Sequence, residues 1–211
     1  MKIKTTITSI FIILLTVFLS LDMMAQTDCV TENQIFRADK DKWVYESPKT
    51  PLTPEMLSVF EGLYYYDINC AFKLKGILTL SENPQKVNVG TTDGGTVQLI
   101  NYGTVSINIK GEDHTFILYK NIDMPEFSMY SEAYFIPFKD ATSIAPLSTT
   151  YASGRYLKID LPANGNKVIL DFNEAINPFA SYNPTFTSLV TPPQNVMAAP
   201  IATGERKYED R

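Results

Sequence analysis

The sequence predicts a mainly β protein, an antiparallel β-barrel or sandwich with one or two short helices at its N-terminal side. Two observations predict this class. Apolar residues recur at helical spacing before Gly62 and alternate with period two after it. The alternating stretches are rich in β-branched and aromatic residues, and short turn sequences such as Asp93-Gly94-Gly95 separate them. Turns this short favour hairpins over crossover helices, so the strands are expected to be antiparallel.

Two helices are predicted ahead of the strands. Thr31 and Gln34 form a capping-box pattern, which predicts the start of a first helix that continues to residue 44. Thr53 is a favourable N-cap residue and Pro54 fits the first helical position, so a second, short helix is expected there.

At least six consecutive strands are predicted from the alternating runs. These runs cover residues 63–80, 86–92, 96–102, 104–110, 114–121 and 133–138. Two further runs, 154–161 and 167–172, flank the turn-rich segment 162–166 and predict a hairpin. Residues 196–202 are expected to add a last strand.

The N-terminus has the pattern of a secretory signal peptide over residues 1–25. Lys2 and Lys4 precede an uncharged apolar run over residues 7–21, and the small residue Ala25 follows. The run is short for a membrane span, which needs about 20 residues. Cleavage after Ala25 is therefore expected, with a displaced cut or an uncleaved anchor as alternatives. The mature protein is expected in the periplasm or outside the cell.

The rest of the chain is expected to form one domain. Residues 26–205 are enough for a complete core, and residues 206–211 form a charged tail. The formal net charge of −5 argues against nucleic acid or anionic lipid as a partner. No transmembrane segment is expected after signal cleavage, and the sequence predicts no oligomeric state.

Cys29 and Cys70 are the two cysteines of the chain. An exported chain meets an oxidising compartment, where two thiols that come together form a disulfide. Cys70 also continues an alternating apolar run, in which it would pack as a small buried hydrophobe. The spacing alone leaves both interpretations open.

Polar side chains concentrate around the predicted hairpin, which makes this hairpin the candidate binding site. Arg155 and Asp171 lie near opposite ends of its two runs, so an antiparallel register would place them opposite each other as an ion pair. Asn173 and Asn177 add directional hydrogen-bonding groups. The full candidate set is Asp140, Tyr151, Arg155, Asp171, Asn173, Asn177 and Asn195.

Several separate motifs together resemble one known family. They are Pro-Phe-Lys-Asp-Ala-Thr (137–142), Thr-Tyr (150–151), Gly-Arg-Tyr-Leu (154–157), Leu-Asp-Phe-Asn (170–173), Asn-Pro (177–178), Pro-Pro-Gln-Asn (192–195) and Gly-Glu (204–205), with Ser-Pro (47–48), Phe-Glu-Gly-Leu (60–63) and Tyr-Tyr (65–66) upstream. In this order they resemble the domain-of-unknown-function family 1684 (DUF1684), taken here as a family of exported bacterial proteins. The resemblance covers nearly the whole mature chain and implies a single domain, but it brings no assigned activity. Family members usually place one cysteine near Ala180 and another just before Pro192, and this sequence has neither.

The residues favour binding over catalysis. His114 is the only histidine and no Gly-x-Ser-x-Gly sequence accompanies it, so a serine-histidine-aspartate triad is not predicted. One histidine and two cysteines do not readily supply a zinc site, and no metal or cofactor is expected. The candidate set offers many hydrogen bonds and no activated nucleophile, which favours a binding module for a small polar or carbohydrate-like ligand.

Two other functions are left open by the sequence. Asp140 and Asp171 would serve a hydrolytic enzyme as acid and base if the fold brings them within a few ångströms of each other. In a structural or interaction protein, the same polar residues would hold loops together, and no ligand pocket would form near the hairpin. The sequence does not decide whether the protein is an enzyme.

Overall fold

The computed structural model describes residues 28–122, 124, 126 and 133–208. Its main element is a six-stranded antiparallel sheet that curls into a half-barrel, which confirms the predicted fold class. The strands are β1 (Lys73–Gly90), β2 (Thr96–Ile109), β3 (Glu112–Lys120), β4 (Tyr134–Phe138), β5 (Arg155–Ile159) and β6 (Lys167–Asp171). Their order across the sheet is β5-β4-β3-β2-β1-β6.

The predicted signal peptide, residues 1–25, lies outside the described residues, as do the last three residues of the predicted tail. Within the described ranges, no helix combines the length and the hydrophobicity that crossing a membrane requires.

Two interruptions that the sequence places between short strands are bulges inside long ones. The register of β1 with β2 shifts between Leu80 and Gln85, and Pro84 lies in this irregular segment, where its missing N–H interrupts no ladder bond. In β2, Gly103 has a φ of +150°, and a Cβ on it would lie 2.2 Å from the carbonyl oxygen of Thr79. Only glycine tolerates so close an approach. Two long strands with bulges therefore replace four predicted short ones, and bulges bend the strands that carry them.

The predicted hairpin does not form, and this prediction was wrong. β5 pairs with β4, with Arg155 opposite Phe138, whereas β6 pairs with β1, with Asp171 opposite Lys73. The two strands are the opposite edges of the sheet, and the connection 160–166 runs from one edge to the other. Alternating polarity specifies which face of a strand is buried, but it does not specify the neighbouring strand.

The predicted last strand is also absent. Residues 196–202 are not assigned to any strand, and Val196 makes a single bridge to Lys139. This segment instead places Met197 and Ile201 in the main core, together with apolar side chains from all six strands.

Both predicted helices are present. The first, α1, covers residues 28–46 among the described residues, so Thr31 lies inside the helix and is not its N-cap. The second, α2 (Pro54–Ser58), begins as predicted, because the Thr53 hydroxyl accepts a hydrogen bond of 3.3 Å from the backbone N–H of Met56. A separate core cluster joins these helices to the loop that contains Phe179.

Cys29 of α1 forms a disulfide with Cys70, which lies in a 3-10 turn just before β1. Their Cα atoms are 6.1 Å apart, and 41 positions separate them in the sequence. The bond therefore ties the N-terminal helix to the start of the sheet and decides between the two interpretations that the sequence left open.

Replacing both cysteines, as Cys29→Ser with Cys70→Ser, should lower the free energy of unfolding by about 2–4 kcal/mol, because the unfolded chain regains the entropy of an open loop. Urea unfolding of the oxidised parent and of the double variant measures the difference. A reducing agent should bring the parent to the stability of the variant and leave the variant unchanged. Equal stability of the two oxidised proteins would contradict the prediction.

Candidate functional site

Arg155 is the centre of the polar cluster, and it is 1% exposed at the start of β5. Its Nη2 atom donates a hydrogen bond of 2.9 Å to Oδ2 of Asp140, which is 2% exposed. The guanidinium lies over the ring of Phe138 at 5.1 Å. A buried pair of this kind is favourable only when the remaining polar atoms of both partners are also bonded.

The rest of the guanidinium binds the C-terminal segment of the chain, residues 201–206. The Nη2 atom of Arg155 donates a hydrogen bond of 2.8 Å to the carbonyl of Ile201. Its Nη1 atom donates hydrogen bonds to the carbonyl of Thr203 and, at 3.3 Å, to the carbonyl of Glu205. Of the three guanidinium nitrogens of Arg155, Nε has no hydrogen-bond partner among the described residues. One side chain thus bonds three carbonyl groups of a segment that belongs to none of the six strands and makes a single backbone bridge among the described residues, between Glu205 and Tyr65.

Asp140 caps the turn after β4 and also bonds the C-terminal segment. Its Oδ1 atom accepts hydrogen bonds from the N–H and the hydroxyl of Thr142, at 2.8 and 2.6 Å, and from the N–H of Ile201, at 3.1 Å. With the bond from Arg155, this carboxylate accepts four hydrogen bonds from protein groups. Three of these bonds go to Oδ1 and one to Oδ2, and the side chain is buried, so the carboxylate is used mainly by the protein itself.

Asp171 does not pair with Arg155, because the two residues lie on opposite edges of the sheet. Its Oδ2 atom accepts a hydrogen bond of 3.0 Å from the side-chain amide of Asn33 in α1. Its Oδ1 atom accepts hydrogen bonds from the backbone N–H and the side-chain amide of Asn173. Asp171 is thereby the cap of the 3-10 turn that follows β6. The predicted ion pair between Arg155 and Asp171 was wrong for the same reason as the hairpin.

Two of the three predicted asparagines, Asn173 and Asn177, bond to the same C-terminal segment as Arg155. Asn173 accepts a hydrogen bond from the Thr203 hydroxyl, and its amide group also exchanges hydrogen bonds of 2.7 and 3.0 Å with the backbone of Asn69. Asn177 donates from its backbone and its side chain to Glu205, at 2.9 and 3.1 Å. Three of the predicted site residues, Arg155, Asn173 and Asn177, therefore bond to residues 201–206 of the same chain.

Gly204 allows the segment to follow this path. Its φ is +76°, and a Cβ there would lie 2.6 Å from the carbonyl oxygen of Phe172. Glu205 follows it, fully buried, and accepts further from the hydroxyl of Tyr182. The Gly-Glu motif noted in the sequence is explained by this geometry.

Asn195 has a separate role between β3 and β4. Pro137 has no N–H, so it cannot continue the ladder opposite Ile117. The side chain of Asn195 fills this gap. It accepts a hydrogen bond of 2.7 Å from the N–H of Ile117. It also donates hydrogen bonds of 3.0 and 2.8 Å to the carbonyls of Ile117 and Pro137. Tyr151 lies in the loop before β5, half-buried, and takes part in none of these side-chain bonds in the described structure.

A buried lysine and two buried glutamates were missed by the sequence analysis. Lys40 of α1 is 1% exposed, and its Nζ has no hydrogen-bond partner among the described residues. Burial lowers the pKa of Lys40, while Glu205 and then Glu126 act against this through their charges. A signal was available, because positions 33, 37, 40 and 44 share one face of a helix and Asn33, Lys40 and Val44 are all buried there.

Glu126 also lines a pocket of about 150 Å³ between the β1–β2 turn and the loop 186–189. The lining residues are Thr91, Val97, Met124, Glu126, Phe186, Thr187, Ser188 and Leu189. One oxygen of Glu126 accepts 3.2 Å from the N–H of Phe179, and burial raises the pKa of this carboxyl. None of the seven predicted site residues belongs to the pocket lining.

Glu174 is the third acidic residue that the sequence analysis missed. It ends the 3-10 turn after β6, and burial, with the charge of Asp171 next in effect, raises its pKa to about 7. Lys158 and Lys73 act in the opposite direction. Groups of three or more His, Cys, Asp or Glu side chains that could hold a metal ion do not occur in the described ranges.

These contacts define a class of protein: a curled antiparallel half-barrel that holds its own C-terminal segment with buried polar side chains. The chain belongs to the DUF1684 family, described as proteins of unknown function, and the family model matches residues 58–206. This match includes all six strands and all seven predicted site residues, and it confirms the resemblance seen in the sequence.

The chain is also similar to a solved structure, the NMR structure of an uncharacterised protein of Haloarcula marismortui. The two share 30% sequence identity with a TM-score of 0.66, and the similarity covers 87% of this chain and 96% of the other. Comparison with curated proteins gave no match.

Replacing Arg155 with alanine should lower the free energy of unfolding by about 3–5 kcal/mol, because it leaves the buried carboxylate of Asp140 without its cation. Lys158→Ala is the matched control on the same strand, since Lys158 pairs with the exposed Asp160. That change should cost at most about 1 kcal/mol. Chemical unfolding of both variants measures the difference, and equal small losses would refute the assignment of a buried pair.

Glu174→Gln should stabilise the protein above pH 7. A raised pKa means that the folded state holds this proton more tightly than the unfolded state, so the carboxyl costs stability as the pH rises from about 4.5 to about 7. The variant should exceed the parent by on the order of 1–3 kcal/mol at pH 8 and equal it near pH 4.5. The exposed Glu82→Gln is the control, and a constant difference across this pH range in the Glu174 variant would contradict the prediction.

Proposed function

We propose that this protein is exported and that its β domain binds a small ligand in the pocket lined by Glu126. The observation that carries the proposal is a carboxyl group in the wall of a pocket whose surface is mainly apolar. Ligand pockets commonly combine an apolar lining with a few polar groups that orient the ligand. A volume of about 150 Å³ suits a ligand with a body about the size of a benzene ring.

The proposal keeps the ligand-binding function expected from the sequence, but moves it away from the Arg155 cluster. Arg155, Asp140 and Asn173 are buried, and their hydrogen bonds go to groups of the protein itself. A sugar or another polar ligand would have to displace residues 201–206 to reach them. Glu126 is also buried, at 3% exposure, but it lines a pocket, and a ligand in that pocket would not displace residues 201–206.

The alternative of a hydrolytic carboxylate pair has less support. Asp140 and Asp171 belong to different hydrogen-bond groups, and each caps a turn. An acid and base pair needs oxygen atoms that a substrate or a water molecule can reach. The purely structural alternative explains the Arg155 cluster well, but it gives no role to the pocket.

The disulfide supports export. Disulfides persist in oxidising compartments such as the periplasm and the cell exterior, and Cys29 lies only a few residues beyond the expected cleavage site. N-terminal sequencing of the protein from its native host should give a mature chain that starts near Gln26. A full-length chain in the cytoplasm would refute export.

Ligand-observed NMR with a library of small fragments tests binding. Fragments with an apolar ring should bind the parent protein, and Val97→Phe should weaken them at least tenfold, about 1.4 kcal/mol, because the added ring fills the pocket. Val190→Phe is the matched control, since Val190 is exposed beside the loop and is not part of the lining. Binding that is unaffected by Val97→Phe, or no binding by any fragment, would refute the pocket as a ligand site.

A further inference from the structure

We propose that the ligand of this pocket is a small organic cation, a protonated amine or quaternary ammonium group on an apolar body. The inference rests on the proposed function and names the chemical class of its ligand. It begins from the charge of the lining, in which Glu126 is the only ionisable side chain among the described residues that form the pocket. A carboxylate in a largely apolar wall is stabilised by an opposite charge that the ligand brings.

The charge of Lys40 acts on Glu126, but no hydrogen bond joins the two side chains. Its Nζ makes no hydrogen bond within the described part of the chain, and its strongest electrostatic attraction is to Glu205, ahead of Glu126. Glu205 in turn is fully buried and receives hydrogen bonds from Asn177 and Tyr182. The charge of the buried Lys40 therefore acts on two buried carboxyl groups, those of Glu205 and Glu126. Of these two, Glu126 lines the pocket.

The other lining groups suit the body of such a ligand. Phe186 offers an aromatic face, which attracts cations, and Met124 offers a polarisable sulfur atom. The hydroxyl of Thr91 already donates to Asp93, and that of Thr187 is 3.2 Å from the hydroxyl of Thr92. Glu126 is thus the polar group with the most to gain from a ligand.

An anionic ligand is disfavoured by the same geometry. A carboxylate or phosphate would lie against Glu126 with no basic side chain in the described lining to balance it. The net charge of −5 also raises the concentration of cations near the protein and lowers that of anions.

Three probes of matched shape test the inference: benzylammonium, benzyl alcohol and benzoate, titrated by NMR or calorimetry at pH 7. The parent should bind benzylammonium at least tenfold more tightly than benzyl alcohol, with no detectable binding of benzoate. Glu126→Gln should weaken benzylammonium at least tenfold and change benzyl alcohol by less than threefold. Glu82→Gln removes the same charge at an exposed position outside the pocket lining, and should leave the preference unchanged.

The outcomes separate this inference from the proposed function. Benzyl alcohol or benzoate binding as tightly as benzylammonium, in a manner sensitive to Val97→Phe, would overturn the cation and leave the pocket as a ligand site. Loss of the preference in Glu82→Gln would also overturn it, because the effect would then come from net charge alone. Absence of binding by the probes and by every library fragment would overturn both.

Discussion

The buried guanidinium of Arg155 is the group on which the arrangement of the chain depends. It neutralises Asp140 and holds three carbonyl groups of residues 201–206 in a place closed to water. An apolar residue at this position would leave the carbonyls of Thr203 and Glu205 without this donor and the carboxylate of Asp140 without its cation, at a cost of several kcal/mol. Once the segment is held, Thr203 reaches Asn173 and Glu205 reaches Asn177, so the two edges of the sheet are joined through the C-terminus.

Residues 201–206 also link the Arg155 cluster to the candidate pocket. The charge of Glu205, in the same segment, is the main one that opposes the lowering of the pKa of Lys40. This leaves the carboxyl of Glu126 without a bonded cation at the pocket wall. The C-terminal segment and the candidate pocket are thus linked through Lys40, whose charge acts on Glu205 first and on Glu126 second.

A cluster of arginine, aspartate and asparagine has the same composition whether it binds a ligand or its own backbone. The sequence shows that Arg155, Asn173 and Asn177 have more hydrogen-bonding groups than a solvated hairpin needs, and the structure places all three on one segment. The group at the centre of such a cluster can come from a part of the chain that is distant in sequence. Residues 201–206 carry no pattern of their own beyond Gly204-Glu205, so their role as the bound group could not be predicted.

The sequence by itself determined where helices give way to strands, because hydrophobic period and local caps act within a few residues. The antiparallel fold class, the Thr53 cap of α2 and the family could all be predicted from the sequence. Only the tertiary structure decided that β5 and β6 are opposite edges, that Cys29 meets Cys70, and that Asp140, not Asp171, is the partner of Arg155. These are pairings between distant positions, and an alternating strand or a lone charge fits several partners equally well until the sheet order is set.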